Sequence, residues 1–240
     1  MLELGVVKVL GVVFTPEFNI TNALKIANVV FGLAGKRLDG EPTMMAIPQD
    51  APAEIPRIIL TSSDKLLSVS ISPVRTNFEF KAPQEAIIDM IDYKSYYSQM
   101  AEFFSKYSEA LDLKVQRIAY VTERLIVRDD AISYVLKRFC RDNQTQKGRP
   151  FYNTKRFEMH SLKNYEWDGF QVNSWVRIKC FPIGTKDQEK KPALLVENDL
   201  NTLSYDDDPG ADFSASEIGK YFDGIPDHVN EILNLYFSEE

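Results

Sequence analysis

The sequence predicts an α+β protein in which two pseudo-repeated halves, each of the order β-α-β-β-β-α, form a largely antiparallel curved sheet with helices packed on one face. Three observations support this class. Several short segments alternate apolar and polar residues with the period of a strand, long segments carry apolar residues at helical spacing, and the same order of elements occurs twice. The division falls near Leu111, so the halves are 1–111 and 112–240, either as two domains or as one continuous domain.

The first strand and the first helix open the N-terminal half. Residues 2–14 mix Val, Leu and Phe on both alternating faces, which predicts a strand covered on two sides, with bulges at Gly5 and Gly11. Asn19 or Thr21 is expected to cap the following helix, whose apolar residues recur at helical spacing up to a glycine.

Three strands and a long helix complete this half. After a proline-rich loop, strands are predicted at 57–60, 66–71 and 76–80. In the second of them apolar residues alternate with serines, so one face of the sheet is expected to contact water. From about Asp92 to Leu111 aromatic and other apolar residues recur at helical spacing, which predicts a helix that packs a broad apolar stripe into the core.

The C-terminal half follows the same order. A long strand is predicted at 113–127, and a short helix with an acidic first turn begins at Asp129. Extended segments are predicted near 155–162, 169–181 and 192–199. Ser214 and Glu217 have the spacing of a capping box for the last helix, which Pro226 restarts or kinks.

Composition and charge exclude several classes of protein. Hydrophobic residues make up 44% of the 240 residues, which is enough for a packed core. Carboxylates outnumber Lys and Arg by 35 to 28, so a protein that coats nucleic acid with its whole surface is not expected. No apolar run approaches the roughly 18 residues that a membrane span needs, and Cys140 and Cys180 alone do not make a disulfide scaffold. We therefore expect a cytoplasmic protein without a membrane partner.

The sequence contains none of the common catalytic motifs. The stretch "GLAGKRLDG" lacks the spacing and the hydroxyl residue of a phosphate-binding loop, and it follows a helix instead of preceding one. His160, His228 and the two cysteines are too far apart in the sequence to indicate a zinc site. We predict no catalytic residue, metal ligand or cofactor, and the pattern favours a non-enzyme over an enzyme.

A group of carboxylates late in the chain supports one enzymatic hypothesis. The acidic residues that end or follow an apolar strand are Glu197, Asp199, Asp206, Asp207, Asp208 and Asp212. Magnesium-dependent hydrolases gather such ligands. The stretch "YDDDPGAD" has equally the composition of an exposed turn, so both interpretations stay open.

Charged residues inside strands form a second candidate site. In "VQRIAYVTERLI" the alternation places Arg117 and Glu123 on one face of the strand and Arg124 on the other. Because an unpaired buried charge costs several kcal/mol, each of them must find a partner in the protein or face solvent or a ligand. Arg75, in "SPVR", is a further candidate for the ligand-facing role.

The basic segment, residues 137–157, is a third candidate site. From Lys137 to Arg156 it holds seven basic residues and one acid, interleaved with aromatic residues. Its predicted binding residues are Arg138, Arg141, Lys147, Arg149, Tyr152, Lys155 and Arg156. Arginines beside exposed aromatic rings suit single-stranded nucleic acid, and they suit an acidic protein surface equally well. Residues 197–223 hold eight acids and one Lys, so the two segments can also pair with each other within a monomer or across a homodimer.

Several stretches resemble a sporadically distributed family of uncharacterised bacterial proteins of about this length, namely "LLSVSISPVRTNFEFKAP", "LDLKVQRIAYVTERLIV", and "ALLVENDLNTLSY" leading to "HVNEILNLYF". The resemblance covers most of the chain in order and carries over no catalytic residue. Its patchy distribution implies a bacterial defence, stress or toxin-neutralising system. In element order the predicted sheet also resembles the saddle of the TATA-binding-protein fold, a likeness of shape that implies no function.

Together these observations predict a non-enzymatic binding protein that acts through protein–protein interaction. One alternative is a nucleic-acid-binding protein that uses the basic segment. A second alternative is a metal-dependent hydrolase that uses the late carboxylates.

Overall fold

A computed structural model describes residues 4–16, 18–48, 51–82, 94–140, 145–184, 190–203, 207–208 and 210–238. These residues form a nine-stranded sheet and four α-helices. The strands are β1 (Gly5–Phe14), β2 (Thr43–Met44), β3 (Ile58–Thr61), β4 (Leu67–Ile71), β5 (Arg75–Lys81), β6 (Arg117–Val127), β7 (Phe157–Trp167), β8 (Phe170–Ile183) and β9 (Lys191–Thr202). The helices are α1 (Ala23–Ala34), α2 (Lys94–Ala110), α3 (Ala131–Phe139) and α4 (Ala215–Phe237).

The strands lie in the order β2-β3-β4-β5-β1-β6-β9-β8-β7, and every neighbouring pair is antiparallel. β1 and β6 lie side by side at the centre, where Leu10 is opposite Val121. The sheet is open, so β2 and β7 are its edges. The predicted α+β class with an antiparallel curved sheet is confirmed.

The four helices cover one face of the sheet. Phe103 of α2 packs on Phe78 of β5 with ring centroids 5.0 Å apart. Tyr221 of α4 donates a hydrogen bond to the carbonyl of Leu200 in β9 at 2.8 Å. The Cys180 thiol of β8 lies 3.5 Å from the carbonyl at the start of α3, and α1 buries an apolar stripe that contacts β3. The core therefore lies in a single layer between this face and the helices.

The first helix begins and ends where local chemistry requires. The Asn22 side chain accepts a hydrogen bond from the backbone N–H of Lys25 at 2.9 Å, which satisfies one of the free donors of the first turn. Gly35 follows the helix with φ of 61°, a conformation that favours glycine. The cap is thus Asn22, and the expectation of Asn19 or Thr21 was wrong.

The last helix carries the predicted capping box. The Ser214 hydroxyl accepts from the backbone N–H of Glu217, and the Glu217 carboxylate accepts from the backbone N–H of Ser214. Pro226 lies inside this helix, which continues to Phe237 without a second start.

In the central strand β1 the irregularity lies at a different position from the bulges predicted at Gly5 and Gly11. The register of β1 against β6 shifts between Val6 and Lys8, whereas Gly11 pairs regularly with Phe78 and Tyr120. A Cβ atom at Gly11 would lie within 3.0 Å of side chains from both α2 and α4. Gly11 is therefore needed for the close approach of the two helices.

Other boundaries differ from the predictions by a few residues. β6 begins at Arg117 where a strand from 113 was predicted, and β7 continues to Trp167. The two-residue strand β2 lies in the predicted proline-rich loop. None of the described helices has both the length and the apolar character needed to cross a membrane.

Candidate functional site

The face of the sheet opposite the helices is called the open face. Side chains alternate along each strand. On β5 and β8 those on the helix side are buried, while most of their neighbours on the open face are partly exposed. On the six strands from β5 to β7 the open face includes Arg75, Asn77, Glu79, Lys81, Lys8, Leu10, Val12, Phe14, Arg117, Ala119, Val121, Glu123, Leu125, Leu195, Glu197, Asp199, Asn201, Asn173, Trp175, Arg177, Lys179, Glu158, His160, Leu162, Asn164 and Glu166. No described helix covers this face.

The centre of the open face is apolar. Leu10 of β1 is opposite Val121 of β6, and Val12 is opposite Ala119 in the next row. Farther out, Trp175 is opposite Leu162 at the β7 edge, where the leucine is 44% exposed. Apolar side chains therefore form a broken stripe across the middle of a largely polar surface.

Charges on the open face are balanced. Its basic residues are Lys8, Arg75, Lys81, Arg117, Arg177 and Lys179, and its acidic residues are Glu79, Glu123, Glu158, Glu166, Glu197 and Asp199. The face as a whole is consequently neutral, which is unlike the cationic grooves that bind nucleic-acid backbones.

Strand register pairs many of these charges with each other. Arg177 is directly opposite Glu197 and contacts it, and the same guanidinium lies 3.3 Å from Asp199. Lys179 lies 2.7 Å from Glu197. In the same row of the sheet, Lys8 lies opposite Glu123 at 3.5 Å, and it is 3.7 Å from Glu79.

Despite the partial burial of Glu197, the ion pairs with Lys179 and Arg177 lower its pKa. Partial burial raises the pKa, but hydrogen bonds from Lys179 and Arg177 outweigh burial and hold it below the ordinary glutamate value. Glu197 is therefore ionised at neutral pH, with its oxygens occupied by protein cations.

Two predicted binding residues meet at one end of the open face. Arg75 and Arg117 are the strand partners of Phe14, one on each side. The Arg117 guanidinium lies 5.1 Å from the centre of the Phe14 ring and donates a hydrogen bond to Asn201 at 2.7 Å. The sequence offered Arg75 as a further ligand-facing candidate beside Arg117 or Arg124, and strand register places Arg75 and Arg117 on either side of Phe14.

Arg124 lies on the other face of the sheet, under α4. It is 6% exposed and donates a hydrogen bond to Asn230 at 3.0 Å. Its second terminal nitrogen, Nη1, is buried and has no hydrogen-bond partner among the described residues. The ligand-facing role of Arg124 stays a prediction, and such a ligand would have to reach the core, away from Arg75 and Arg117.

The basic segment is divided in the structure. Arg138, at the end of α3, donates hydrogen bonds to the carbonyls of Tyr236 and Ser238 and so caps the C-terminal end of α4. Residues 145–156 form a chain of turns before β7, and Phe151 packs edge-on against Phe157 at 5.5 Å. Arg141 lies outside the described residues.

The remaining predicted residues of the basic segment are exposed. They are Lys147, Arg149, Tyr152, Lys155 and Arg156, with 47% of Tyr152 accessible to solvent. Within the part of the chain that the structure describes, the four cations make no hydrogen bond or ion pair with another side chain. Their charge remains available to a partner molecule.

The late carboxylates do not converge in the described residues. Glu197 and Asp199 point to the open face and contact Arg177, while Asp206 lies outside the described ranges. Among the residues described, no group of three or more His, Cys, Asp or Glu side chains is placed to hold a metal ion. The hydrolase hypothesis thus has no geometric support from these side chains.

One cluster was missed by sequence reasoning. His228 of α4 lies 2.8 Å from the Tyr165 hydroxyl and 3.1 Å from the Glu231 carboxylate, and its ring stacks on Trp167 at 4.7 Å. A cleft of about 400 Å³ opens beside it between α4 and the β7–β8 hairpin. Only the pairing of β7 with β8 places Tyr165 under α4, and no sequence spacing indicates that contact.

Comparison with known proteins adds no relative from which a function could be transferred. The chain matches no protein-family model and no curated protein.

Proposed function

We propose that this chain is a non-enzymatic binding protein that docks another protein on its open face. One observation carries the proposal, namely a broad sheet surface, uncovered by any described helix, on which apolar side chains lie next to a row of paired charges. Protein interfaces place apolar and aromatic residues at the centre and polar groups around them, with Arg and Trp enriched at the positions of strongest binding. Arg117 over Phe14 and Arg177 over Trp175 match that composition.

The balance of charge favours a protein partner over a polyanion for this face. Nucleic-acid binding relies on cations that neutralise phosphates. Here Arg177, Lys179 and Lys8 are already paired with carboxylates of neighbouring strands. A partner surface of mixed charge can align with these pairs. Val12 and Ala119 are already buried, so the partly exposed Leu10, Val121 and Trp175 supply the apolar area that is removed from water. The cellular setting, a bacterial defence, stress or toxin-neutralising system, stays a prediction.

The test compares open-face variants with a matched control. A partner captured by the wild-type protein from an extract of the source organism is identified and purified, and its Kd is measured by titration calorimetry. Trp175→Ala and Leu10→Ala are expected to weaken the Kd about tenfold or more, because aromatic and apolar anchors dominate interface energies. Leu24→Glu, at a side chain that is 62% exposed on α1, is the control and is expected to leave the Kd unchanged.

Hydrogen exchange locates the contact independently. With the partner bound, protection is expected in β1, β6, β8 and β9, while the exposed turns of α1 and α3 remain unchanged. Equal affinity of all three variants, or protection confined to the helices, would reject docking on the open face.

A second candidate function is nucleic-acid binding by residues 145–156. It is favoured by four exposed cations without side-chain partners among the described residues, next to the half-exposed ring of Tyr152. The prediction is binding of a labelled single-stranded oligonucleotide that weakens steeply as salt rises. Replacing Lys147, Arg149, Lys155 and Arg156 by Gln should abolish binding, whereas Lys25→Gln with Lys114→Gln should not. No binding by the wild-type protein at about 50 mM salt rejects this function.

We also infer that 1–111 and 112–240 are pseudo-repeated halves. Supporting this, the first strand of each half pairs with the last strand of the same half, β1 with β5 and β6 with β9, and the two first strands pair with each other. Each half also ends in a long helix, and these helices, α2 and α4, pack together. Superposition of the two halves of an experimental structure tests the inference, because strands that fail to superpose in this order reject it.

A further inference from the structure

The edge strand β7 is a long, exposed pairing surface. It is an 11-residue strand that pairs along its whole length with β8 on one side. On its other side no described segment forms a backbone hydrogen bond with it. An unpaired edge of this length presents a row of free N–H and C=O groups that can accept another strand.

The two edges of the sheet differ. The opposite edge, β2, is only two residues long, and Pro42 and Pro48 lie close to its ends, so it offers little to pair with. β7 contains no proline, and its pairing with β8 shows no register shift. Additional pairing is therefore favoured at β7.

Charge is distributed along β7 so that it complements a second copy of itself. Arg156 precedes the strand and Glu166 lies near its end, and both are exposed. In an antiparallel two-fold pair, the N-terminal end of one strand lies beside the C-terminal end of the other. We propose that this chain forms a two-fold homodimer through antiparallel β7–β7 pairing, with Ser161 opposite Ser161 of the second copy and Arg156 opposite its Glu166.

Electrostatics selects this register among those that keep the faces of the two sheets aligned. Directly opposite residues share a face, so the register can change only in steps that preserve the alternation of side chains. One such shift places Glu158 opposite Glu166 of the other copy, which brings like charges together. The shift in the other direction places Arg156 opposite Asn164, and the ion pair is lost. With Ser161 at the axis, Glu158 meets Asn164, His160 meets Leu162, and no like charges are opposite each other.

The dimer would join the two open faces into one surface. Residues of even number in β7, including His160 and Leu162, belong to the open face, and the proposed register keeps them on the same side in both copies. Leu162, which is 44% exposed in the single chain, would be covered by His160 of the second copy. This inference concerns the purified protein alone, so its failure would leave docking of a partner on the open face untouched.

Sedimentation and charge reversal test the interface. Sedimentation equilibrium of the purified chain is expected to show a concentration-dependent mass that reaches twice the 27.5 kDa of the monomer. Arg156→Glu and Glu166→Arg should each weaken dimerisation about tenfold, equivalent to about 1.4 kcal/mol, because symmetry places the altered pair at two positions. The double variant should restore the wild-type dissociation constant. Both side chains are exposed, so folding is expected to be unaffected, and circular dichroism checks it.

Cysteine cross-linking tests the register. In a Cys140→Ser background, which removes the exposed thiol, Ser161→Cys should form a covalent dimer under mild oxidation faster than His160→Cys or Leu162→Cys. Leu24→Cys, exposed on α1, is the control for random collisions. The proposal is overturned by a chain that stays monomeric up to about 100 μM, by a dimer that the charge reversals do not affect, or by cross-linking at residue 161 no faster than at residue 24.

Discussion

A single methyl group at residue 11 tests how closely the helices approach the central strand. An ideal Cβ at Gly11 lies 2.4 Å from Sδ of Met100, 2.8 Å from Cε2 of Phe104 and 3.0 Å from Cε1 of Phe222. Side chains from both α2 and α4 must move to accept Gly11→Ala. The substitution is therefore expected to destabilise the protein, although alanine is ordinarily the better residue in a regular strand.

The size of the expected loss in stability depends on which side chains around residue 11 can move. Met100 can change rotamer, but the rings of Phe104 and Phe222 are buried and stack on each other with centroids 4.8 Å apart. Overpacking of this kind costs about 1–3 kcal/mol, and the smaller conformational entropy of alanine returns about 0.5–1 kcal/mol. At the midpoints of these two ranges the net loss is about 1 kcal/mol, which for a chain of 240 residues lowers Tm by roughly 2–4 °C.

Thermal and urea unfolding, followed by circular dichroism, measure this loss. The matched control is Gly32→Ala in α1, where an added Cβ has nothing within 4 Å and helix propensity predicts a gain of about 0.5–1 kcal/mol. A Gly11→Ala protein as stable as the wild type, together with the expected gain from Gly32→Ala, would refute the close approach of α2 and α4 to β1.

Three further predictions concern ionisation, thiol chemistry and capping. The pKa of Glu197 is lower in the folded protein than its ordinary value, so its contribution to stability is present above the unfolded pKa of about 4.3 and is lost as pH falls through the folded pKa. Urea unfolding should therefore show a deficit for Glu197→Gln at pH 7 that shrinks in acid, and a deficit independent of pH would contradict the pairing. Cys140 is exposed, whereas burial raises the pKa of the Cys180 thiol to about 11, so a thiol reagent should label one cysteine in the native protein and both after unfolding. Ser214→Ala removes the hydroxyl of the capping box and should cost about 1 kcal/mol, seen as a Tm lower by roughly 2–4 °C, while an unchanged Tm would argue against the cap.

Local patterns predicted most of the elements of this fold. The alternation of Leu67, Val69 and Ile71 with serines identified β4 and its wet face, and the spacing of Ser214 and Glu217 identified the start of α4. These predictions succeeded because hydrophobic period and capping chemistry act within a few residues. The cap of α1 was missed because Asn19, Thr21 and Asn22 all have suitable side chains, and only the path of the chain decides among them.

Contacts between distant segments could not be predicted. The sequence placed Arg117 and Arg124 on opposite faces of β6, but it did not show which face the helices cover. Gly11 was predicted as a bulge because glycine in a strand marks either a bulge or a close approach, and the approaching side chains come from helices about 90 and 200 residues away in the sequence. The cluster around His228 depends likewise on the pairing of β7 with β8.

The two charged segments show the same difference between what local composition predicts and what contacts between distant residues determine. Their composition left open that basic residues 137–156 pair with acidic residues 197–223, within a monomer or across a homodimer. In the structure, strand register places Arg177 and Lys179 next to Glu197, and these nearer cations occupy the carboxylate. Lys147, Arg149, Lys155 and Arg156, in the turns that lead into β7, are exposed and make no side-chain ion pair among the described residues. Of these four residues, Arg156 directly precedes β7, so its charge is free to pair with Glu166 of a second copy in the proposed dimer.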